Sequence, residues 1–406
     1  MALGLTASLV LLAASAAPLR GPEAQLHRYT AALEFDFAGW TVDAVLVKLG
    51  QGALADSGYL AADSREALVR QFFQLIDESE RMDAELRAAY AGGAAGNAVA
   101  TTTARLQDIR RRLGGLQPLA EGILQEQASV VLSTEGLGSL GPPFPPVAFH
   151  LSQLPVALVV SPRNVIREDA LVQMDPSLSL DHQIALEARV EGSLDVSALV
   201  VPVGGVGTYP TMIEETGALG WVAEVILHEW THNWLTLRPL GFNYETSPQL
   251  RTMNETTAQL MGQALGRRLV ASYYPDLVSA PAAHAAAVRA PAATFDFQAE
   301  MHTTRVHVDE LLAEGKVPEA EAYMEARRQV FVANGYSLRR LNQAYFAFYG
   351  AYADQPQGAA GEDPIGAAVR QLWDAAATPE AFLRQMAQMD SVEDLERAVG
   401  RPLTTP

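Results

Sequence analysis

The sequence predicts an α+β fold that is mostly helical, with a small sheet ahead of a buried central helix. Two short β-branched runs lie between residues 155 and 205, and apolar residues at helical spacing dominate on both sides of them. The chain has 406 residues, of which 49% are hydrophobic, so it can enclose the cores of two or three domains. We therefore expect helical N- and C-terminal parts around a mixed central core.

The N-terminal part of this fold is predicted to be a helical region over residues 21–140. Apolar residues recur at the spacing of amphipathic helices over residues 64–91 and 98–132, and an Ala/Gly-rich loop, AYAGGAAGNA, separates these segments. The segment 136–146 is dense in Pro and Gly, which is typical of a boundary or linker.

Residues 147–275 are predicted to form the central core. The runs PVALVVSP (155–162) and SALVVPVGG (197–205) predict strands, because both are β-branched and end at Pro or Gly. An acidic segment with helical spacing separates them. A strongly apolar helix over 219–237 and a second helix over 249–274 complete the core.

Everything after this core is predicted to be helical. Segments 300–312, 318–334 and 338–352 have helical spacing, and three short helices follow Pro364. We therefore expect a helical C-terminal subdomain over residues 276–406.

Composition excludes two classes of function. The formal net charge is −18 and no basic stripe is present, so the sequence predicts no nucleic-acid partner, since phosphates need such a stripe. The chain has 0 cysteines, which excludes disulfides, thiolate metal ligands and a cysteine nucleophile.

An apolar segment near the N-terminus predicts export. Residues 3–18 read LGLTASLVLLAASAAP, which is short for a membrane span of about 20 residues but suits a signal peptide or a signal anchor over residues 1–20. Either form would make the protein extracytoplasmic, secreted or membrane-anchored through this segment. The alternative is a buried N-terminal helix.

The strongest chemical signal is the segment HEWTH, residues 228–232. His228 and His232 are one helical turn apart, so both imidazoles can reach one Zn²⁺, and Glu229 is placed to take a proton from water. Glu255, twenty-three residues past the second histidine, supplies a third ligand from another helix and leaves one coordination position open. Apolar residues on both sides argue against the alternative of two solvated histidines on a surface helix.

These residues resemble the gluzincin group of metallopeptidases. By this resemblance, His228, His232 and Glu255 match the zinc ligands and Glu229 matches the catalytic base. Asn254 matches the Asn that often precedes the third ligand. The later stretch LNQAYFAFYGAY is similar to part of a bacterial family of predicted aminopeptidases. The chain has no GxMxN exopeptidase motif, so aminopeptidase specificity is not supported.

The resemblance implies a zincin-like catalytic core, Zn²⁺ as cofactor, and a peptide or protein as substrate. In that core an edge strand before the metal helix holds the substrate backbone by β-augmentation. Residues 197–205 are the candidate strand, with Gly204 and Gly205 permitting close approach of a peptide. The alternative is a simple buried strand that ends in a turn. Gln259 is an amide where some members carry an acid that supports a ligand histidine.

The resemblance also implies a side chain that stabilises the oxyanion, commonly a Tyr or His from a later helix. Tyr345, Tyr349 and Tyr352 lie at i, i+4 and i+7 on one predicted helix face, and are the candidates. Ordinary core packing is the alternative reading of this stripe. His302 and His307 are further candidates, although His307 fits a solvated face.

The sequence thus predicts a zinc-dependent hydrolase of peptide bonds with Glu229 as general base. Two alternatives stay open. One is a non-catalytic scaffold that keeps zinc for folding, against which the presence of Glu229 argues, since a structural site needs no base. The other is a zinc hydrolase of a non-peptide amide, which the same chemistry would allow.

Overall fold

The structure, a computed structural model, describes residues 22–54, 60–91, 97–138, 141–278, 295–336, 338–350 and 364–403. Most of these residues are helical and two small sheets are present, which confirms the α+β class. The helices are α1 (Pro22–Thr30), α2 (Phe37–Leu54), α3 (Ala62–Ala91), α4 (Asn97–Thr134), α5 (Leu180–Leu194), α6 (Leu219–Leu235), α7 (Pro239–Phe242), α8 (Pro248–Tyr273), α9 (Pro275–Val278), α10 (Phe297–Ala313), α11 (Val317–Ala333), α12 (Gln343–Gly350), α13 (Pro364–Ala375), α14 (Pro379–Met386) and α15 (Val392–Val399). The strands are β1 (Phe149–Ser152), β2 (Val156–Pro162), β3 (Ala170–Met174), β4 (Val196–Pro202), β5 (Gly205–Val206) and β6 (Thr211–Glu214).

The strands form two three-stranded sheets. In the first, with order β3-β2-β4, both neighbouring pairs are antiparallel. In the second, with order β1-β6-β5, β1 is parallel to β6 and β5 is antiparallel to it. The single strand predicted over 197–205 is therefore divided between the sheets. Its first part ends at Pro202, which has no amide hydrogen to continue a ladder, and Gly205 begins β5.

Side chains cover the outer edge of β4. The amide of Val200 donates to Glu187 Oε1 at 2.7 Å, and Arg339 donates to the Val200 carbonyl at 3.3 Å. Asn342 donates to the carbonyl of Ala198 at 3.0 Å. These backbone groups are already bonded, so β4 has no open edge there for an added strand. The prediction that this segment is the substrate-binding edge is wrong for β4.

Three hydrophobic clusters hold the elements together. The central cluster includes Phe72, Leu124, Leu227, Met261 and Leu383, so it joins α3 and α4 to α6, α8 and the C-terminal helices. The regions predicted on either side of the core therefore share one core with it. A second cluster packs α10, α11 and α12 on one face of the first sheet, and a third packs α1 and α5 on that sheet.

Helices α6 and α8 approach closely at two glycines of α8. A Cβ placed on Gly262 would lie 2.9 Å from the Cβ of His228, and one placed on Gly266 would lie 2.7 Å from the Cα of Glu224. The glycines thus allow the two helices to bring their side chains to a common point between them.

We expect Gly262→Ala to destabilise the fold by about 1–3 kcal/mol, because the added methyl must displace α6. Since the added Cβ would meet the Glu224 carbonyl oxygen at 2.8 Å and the Cβ of His228 at 2.9 Å, the substitution should also weaken metal binding. Chemical denaturation and a metal titration measure the two effects. The matched control is Gly115→Ala in α4, where nothing lies within 4 Å of the added Cβ. That variant should gain up to about 1 kcal/mol, and equal effects of both substitutions would contradict the packing argument.

No described helix is both long enough and apolar enough to span a membrane. The apolar segment 3–18, on which the export prediction rests, lies outside the described residues.

Candidate metal centre

Helix α6 places His228 and His232 side by side, as the one-turn spacing predicts. Their Nε2 atoms are 3.0 Å apart, and their ring centroids are 4.7 Å apart. Apolar residues of α6, among them Leu227, Trp230 and Leu235, are buried and fix the helix in the central cluster. The two imidazoles therefore lie on a helix that the core holds in position.

Helix α8 brings Glu255 to the same point. The Ser247 side chain accepts a hydrogen bond from the amide of Leu250, and Pro248 follows it, so the start of α8 is well defined. Two turns later, Glu255 Oε2 lies 3.6 Å from His228 Nε2 and 3.4 Å from His232 Nε2.

These three side chains could hold a metal ion. One ligand atom of each lies within 4.8 Å of the other two. Glu255 Oε2 is buried and has no hydrogen-bond partner among the described residues. A buried carboxylate oxygen without a donor is costly, and a cation between the three groups would remove that cost. The donor set of two imidazoles and one carboxylate is one that suits zinc.

Two polar side chains orient the ligands. His232 Nδ1 lies 2.8 Å from Asn254 Oδ1, so a neutral ring that donates there keeps Nε2 unprotonated and able to bind a metal. The Asn254 amide in turn donates to the carbonyl of Leu240 at 3.3 Å. The Tyr244 hydroxyl donates to Glu255 Oε1 at 2.5 Å, which leaves Oε2 for a metal.

Sequence reasoning missed Tyr244. It lies between the helices predicted over 219–237 and 249–274, in a segment to which the sequence assigned no function. The Tyr244 ring also stands edge-on to His232, with centroids 6.1 Å apart. A loop that connects two ligand-bearing helices must pass close to both, and this short connection was the one available signal.

The charges of the three candidate ligands shift one another's pKa values strongly. Burial alone would raise the pKa of Glu255, but the two imidazoles outweigh it and hold that pKa well below its usual range. Burial would lower the pKa of His232, but Glu255 outweighs it and raises the value to about 9. Such tightly coupled groups are typical of functional sites and of metal sites.

Glu229 lies beside the ligands and is not one of them. Its side chain is buried, and burial raises its pKa in spite of the opposing effect of the histidines. Strand β5 runs against this carboxylate, since a Cβ placed on Gly205 would overlap Glu229 Oε1. Gly205 thus makes room for the Glu229 carboxylate, and the close approach of a peptide at Gly204 and Gly205 stays a prediction.

The three ligand candidates and Glu229 line a cleft of about 880 Å³. Its walls come from the segment before and within β3, from β5, from the Tyr244 loop and the start of α8, and from α10 and α12. The cleft is therefore large enough for several residues of an extended ligand.

The predicted tyrosines are placed differently from the metal ligands. The rings of Tyr345 and Tyr349 contact each other, with centroids 4.6 Å apart, and burial raises the pKa of both. Both pack with the second cluster, and α12 contributes Phe346, Ala347 and Phe348 to the cleft instead. Tyr352 lies outside the described residues.

Neither of the two alternative candidates, His302 and His307, is among the residues that line the cleft. The His307 side chain is 46% exposed, lies 3.1 Å from Glu310 on its own helix and contacts the Tyr323 ring, so it faces solvent in part. His302 is exposed on α10.

Comparisons of the chain with protein-family models, with curated proteins and with solved structures found no match.

Proposed function

We propose that the chain is a zinc-dependent hydrolase of peptide bonds, of the gluzincin type and with a zincin-like catalytic core. One observation carries the proposal. His228, His232 and Glu255 converge on one point, a buried Glu229 stands beside them, and all four line one open cleft. A purely structural metal site has no use for a free carboxylate or for access to solvent.

His228, His232 and Glu255 would hold the zinc ion, and the orphaned Glu255 Oε2 supports the fit. A zinc ion bound there supplies a Lewis acid that polarises a carbonyl oxygen and acidifies water. Asn254 would keep His232 in the tautomer that can bind a metal, and Tyr244 would keep Glu255 in its orientation.

Glu229 would act as the proton carrier. A carboxylate whose pKa is raised by burial is a stronger base than a solvated one, so it can take a proton from the attacking water. It then gives that proton to the nitrogen of the leaving amine. The donor to the oxyanion stays a prediction, and its candidates are Tyr352, the buried Tyr345 and the partly buried Tyr349.

The cleft would bind the peptide in an extended form. Strand β5 is the outer strand of its sheet, and Gly205 brings its backbone close to Glu229. A substrate lying along β5 would therefore place a peptide bond near the proton carrier, as in β-augmentation.

The first test is metal content. We expect about one zinc ion per chain in purified, zinc-loaded protein, and loss of that zinc in His232→Ala, because two remaining ligands bind far more weakly. Elemental analysis measures both. His307→Ala is the matched control, since that partly exposed histidine lies on another helix, outside the candidate metal group, and should leave the zinc content unchanged. Zinc below stoichiometry that His232→Ala does not alter would contradict the site.

A quenched-peptide library then tests the activity. We expect zinc-loaded protein to hydrolyse members of the library and chelator-treated protein to lose this activity, with restoration on adding zinc. Stoichiometric zinc without any peptide hydrolysis would argue for a scaffold or a non-peptide substrate.

A further inference from the structure

One wall of the cleft carries Arg305 of α10. Its Nε donates to Asp309 Oδ2 at 2.7 Å, one turn further along the same helix. Its guanidinium carbon lies 5.7 Å from the centroid of the Phe346 ring of α12. The side chain is only 25% exposed. Arg305 is therefore held against an apolar wall, with its guanidinium at the cleft surface.

The hydrogen-bonding capacity of Arg305 is not used up. A guanidinium has five N–H donors in a planar fork, and Asp309 accepts from Nε alone. Nη1 and Nη2 have no hydrogen-bond partner among the residues that the structure describes. These two nitrogens form the edge that binds a carboxylate through two parallel hydrogen bonds.

The other two arginines that line the cleft, Arg251 and Arg167, form ion pairs with acidic residues that also line it. Arg251 forms ion pairs with Glu168, at 2.5 Å, and with Glu245, and both acids line the cleft. Arg167 pairs with Asp169, which also lines the cleft, at 2.6 Å. The acid that pairs with Arg305 is not among the cleft-lining residues. Arg167 also donates through Nε alone, but its side chain is 52% exposed, whereas that of Arg305 is 25% exposed and its pairing acid lies outside the cleft lining. Among the described cleft residues, Arg305 is thus the arginine that is both partly buried and free to offer its Nη edge to a ligand.

We infer that Arg305 determines specificity by binding a carboxylate of the substrate. This inference rests on the proposed peptidase function. Acidic side chains and a free C-terminal carboxylate share this chemistry. The chain carries a net charge of −18, so its long-range field repels acidic peptides. A preference for them therefore has to arise from a local contact, and substitution of one residue should remove it.

The test uses the zinc-loaded full chain and a peptide that it hydrolyses. At each position near the scissile bond, a peptide with Glu is compared with the same peptide carrying Gln. Each peptide is also prepared with its C-terminus as the free acid and as the amide. We expect kcat/KM to be about tenfold higher or more when the carboxylate is present, the usual effect of a charge-assisted hydrogen bond. A preference in the Gln/Glu comparison means that Arg305 binds an acidic side chain. A preference in the acid/amide comparison means that it binds the C-terminal carboxylate. In Arg305→Gln this ratio should fall to near one, and in Arg305→Lys it should fall partway.

Arg167→Gln is the matched control, because Arg167 lines the same cleft but is 52% exposed and pairs with an acid there. This variant should keep the preference. Peptide hydrolysis with no carboxylate preference, or a preference that Arg305→Gln keeps, overturns the inference and leaves the proposed function intact. So does a preference that Arg167→Gln removes.

If the wild-type protein hydrolyses no peptide, the proposed function fails, and fluorescence anisotropy with the same labelled peptides decides on Arg305. Tighter binding of the carboxylate forms that Arg305→Gln abolishes supports the inference. Equal binding of acid and amide forms, or no binding of either, overturns it.

Discussion

Glu229→Gln is expected to keep the fold and the metal and to lower kcat by roughly 10²–10⁴-fold, the usual range for removing a general base. The amide is nearly isosteric with the carboxylate, so it still fits against Gly205 of β5. It has no lone pair basic enough to take a proton from water. Burial raises the pKa of the native carboxyl group, and that added basicity is lost in the variant.

The measurement is kcat on a cleavable peptide together with zinc content and the unfolding midpoint. Glu224→Gln is the matched control, since Glu224 lies on the same helix and does not line the cleft. We expect wild-type turnover for it. If Glu229→Gln loses the metal, then Glu229 is a ligand and the proposed division of roles is wrong.

Glu121→Gln is expected to have the largest effect on stability, a loss of about 3 kcal/mol or more. Glu121 is fully buried on α4 and accepts from the Lys48 ammonium at 2.5 Å and from the amide of Leu151 at 2.9 Å. His150 Nδ1 lies 3.0 Å from the same carboxylate. The substitution leaves the Lys48 charge largely buried without its counter-ion, and that penalty dominates the loss.

Urea denaturation measures the difference. Glu126→Gln is the matched control on the same helix, because Glu126 forms an exposed pair with Arg65, and it should cost less than about 1 kcal/mol. Similar losses for both variants would contradict the argument from burial.

We also expect the Glu121 carboxylate to make the free energy of unfolding depend on pH. Burial would raise the pKa of Glu121, but His150 and Lys48 outweigh it and lower the value from 4.5 to about 2. A carboxyl group with a lower pKa in the folded state contributes stability above its unfolded pKa. That contribution is lost as the pH falls from about 4.5 through about 2. Glu121→Gln should therefore flatten the acid limb of the stability profile.

The sequence predicted the features that depend on local spacing. The helix carrying Glu255 was expected over 249–274 and is observed over Pro248–Tyr273, because one run of apolar residues decides it. His228 and His232 converge because a single helical turn separates them. The helix expected over 338–352 begins only at Gln343, where the Asn342 side chain accepts from the amide of Tyr345.

The features that depend on distant contacts were not predictable in this way. Tyr244 and Arg305 reach the cleft from a loop and from a later helix, and no spacing links them to the histidines. The covering of the β4 edge was not predictable either, because the side chains that bond to it come from α5 and from the segment before α12. A β-branched run shows the presence of a strand and not its neighbours.

The shared central cluster sets the order in which the protein can mature. Helices α6 and α8 carry the candidate metal ligands, and their apolar sides are covered by α4 from one end of the chain and by α13 and α14 from the other. A nascent chain that has reached only Tyr273 contains α4 but lacks α13 and α14, so part of this apolar surface is still exposed. The remaining residues leave the ribosome within an interval on the order of ten seconds. At the proposed zinc site, we therefore expect metal loading to follow synthesis of the C-terminal helices.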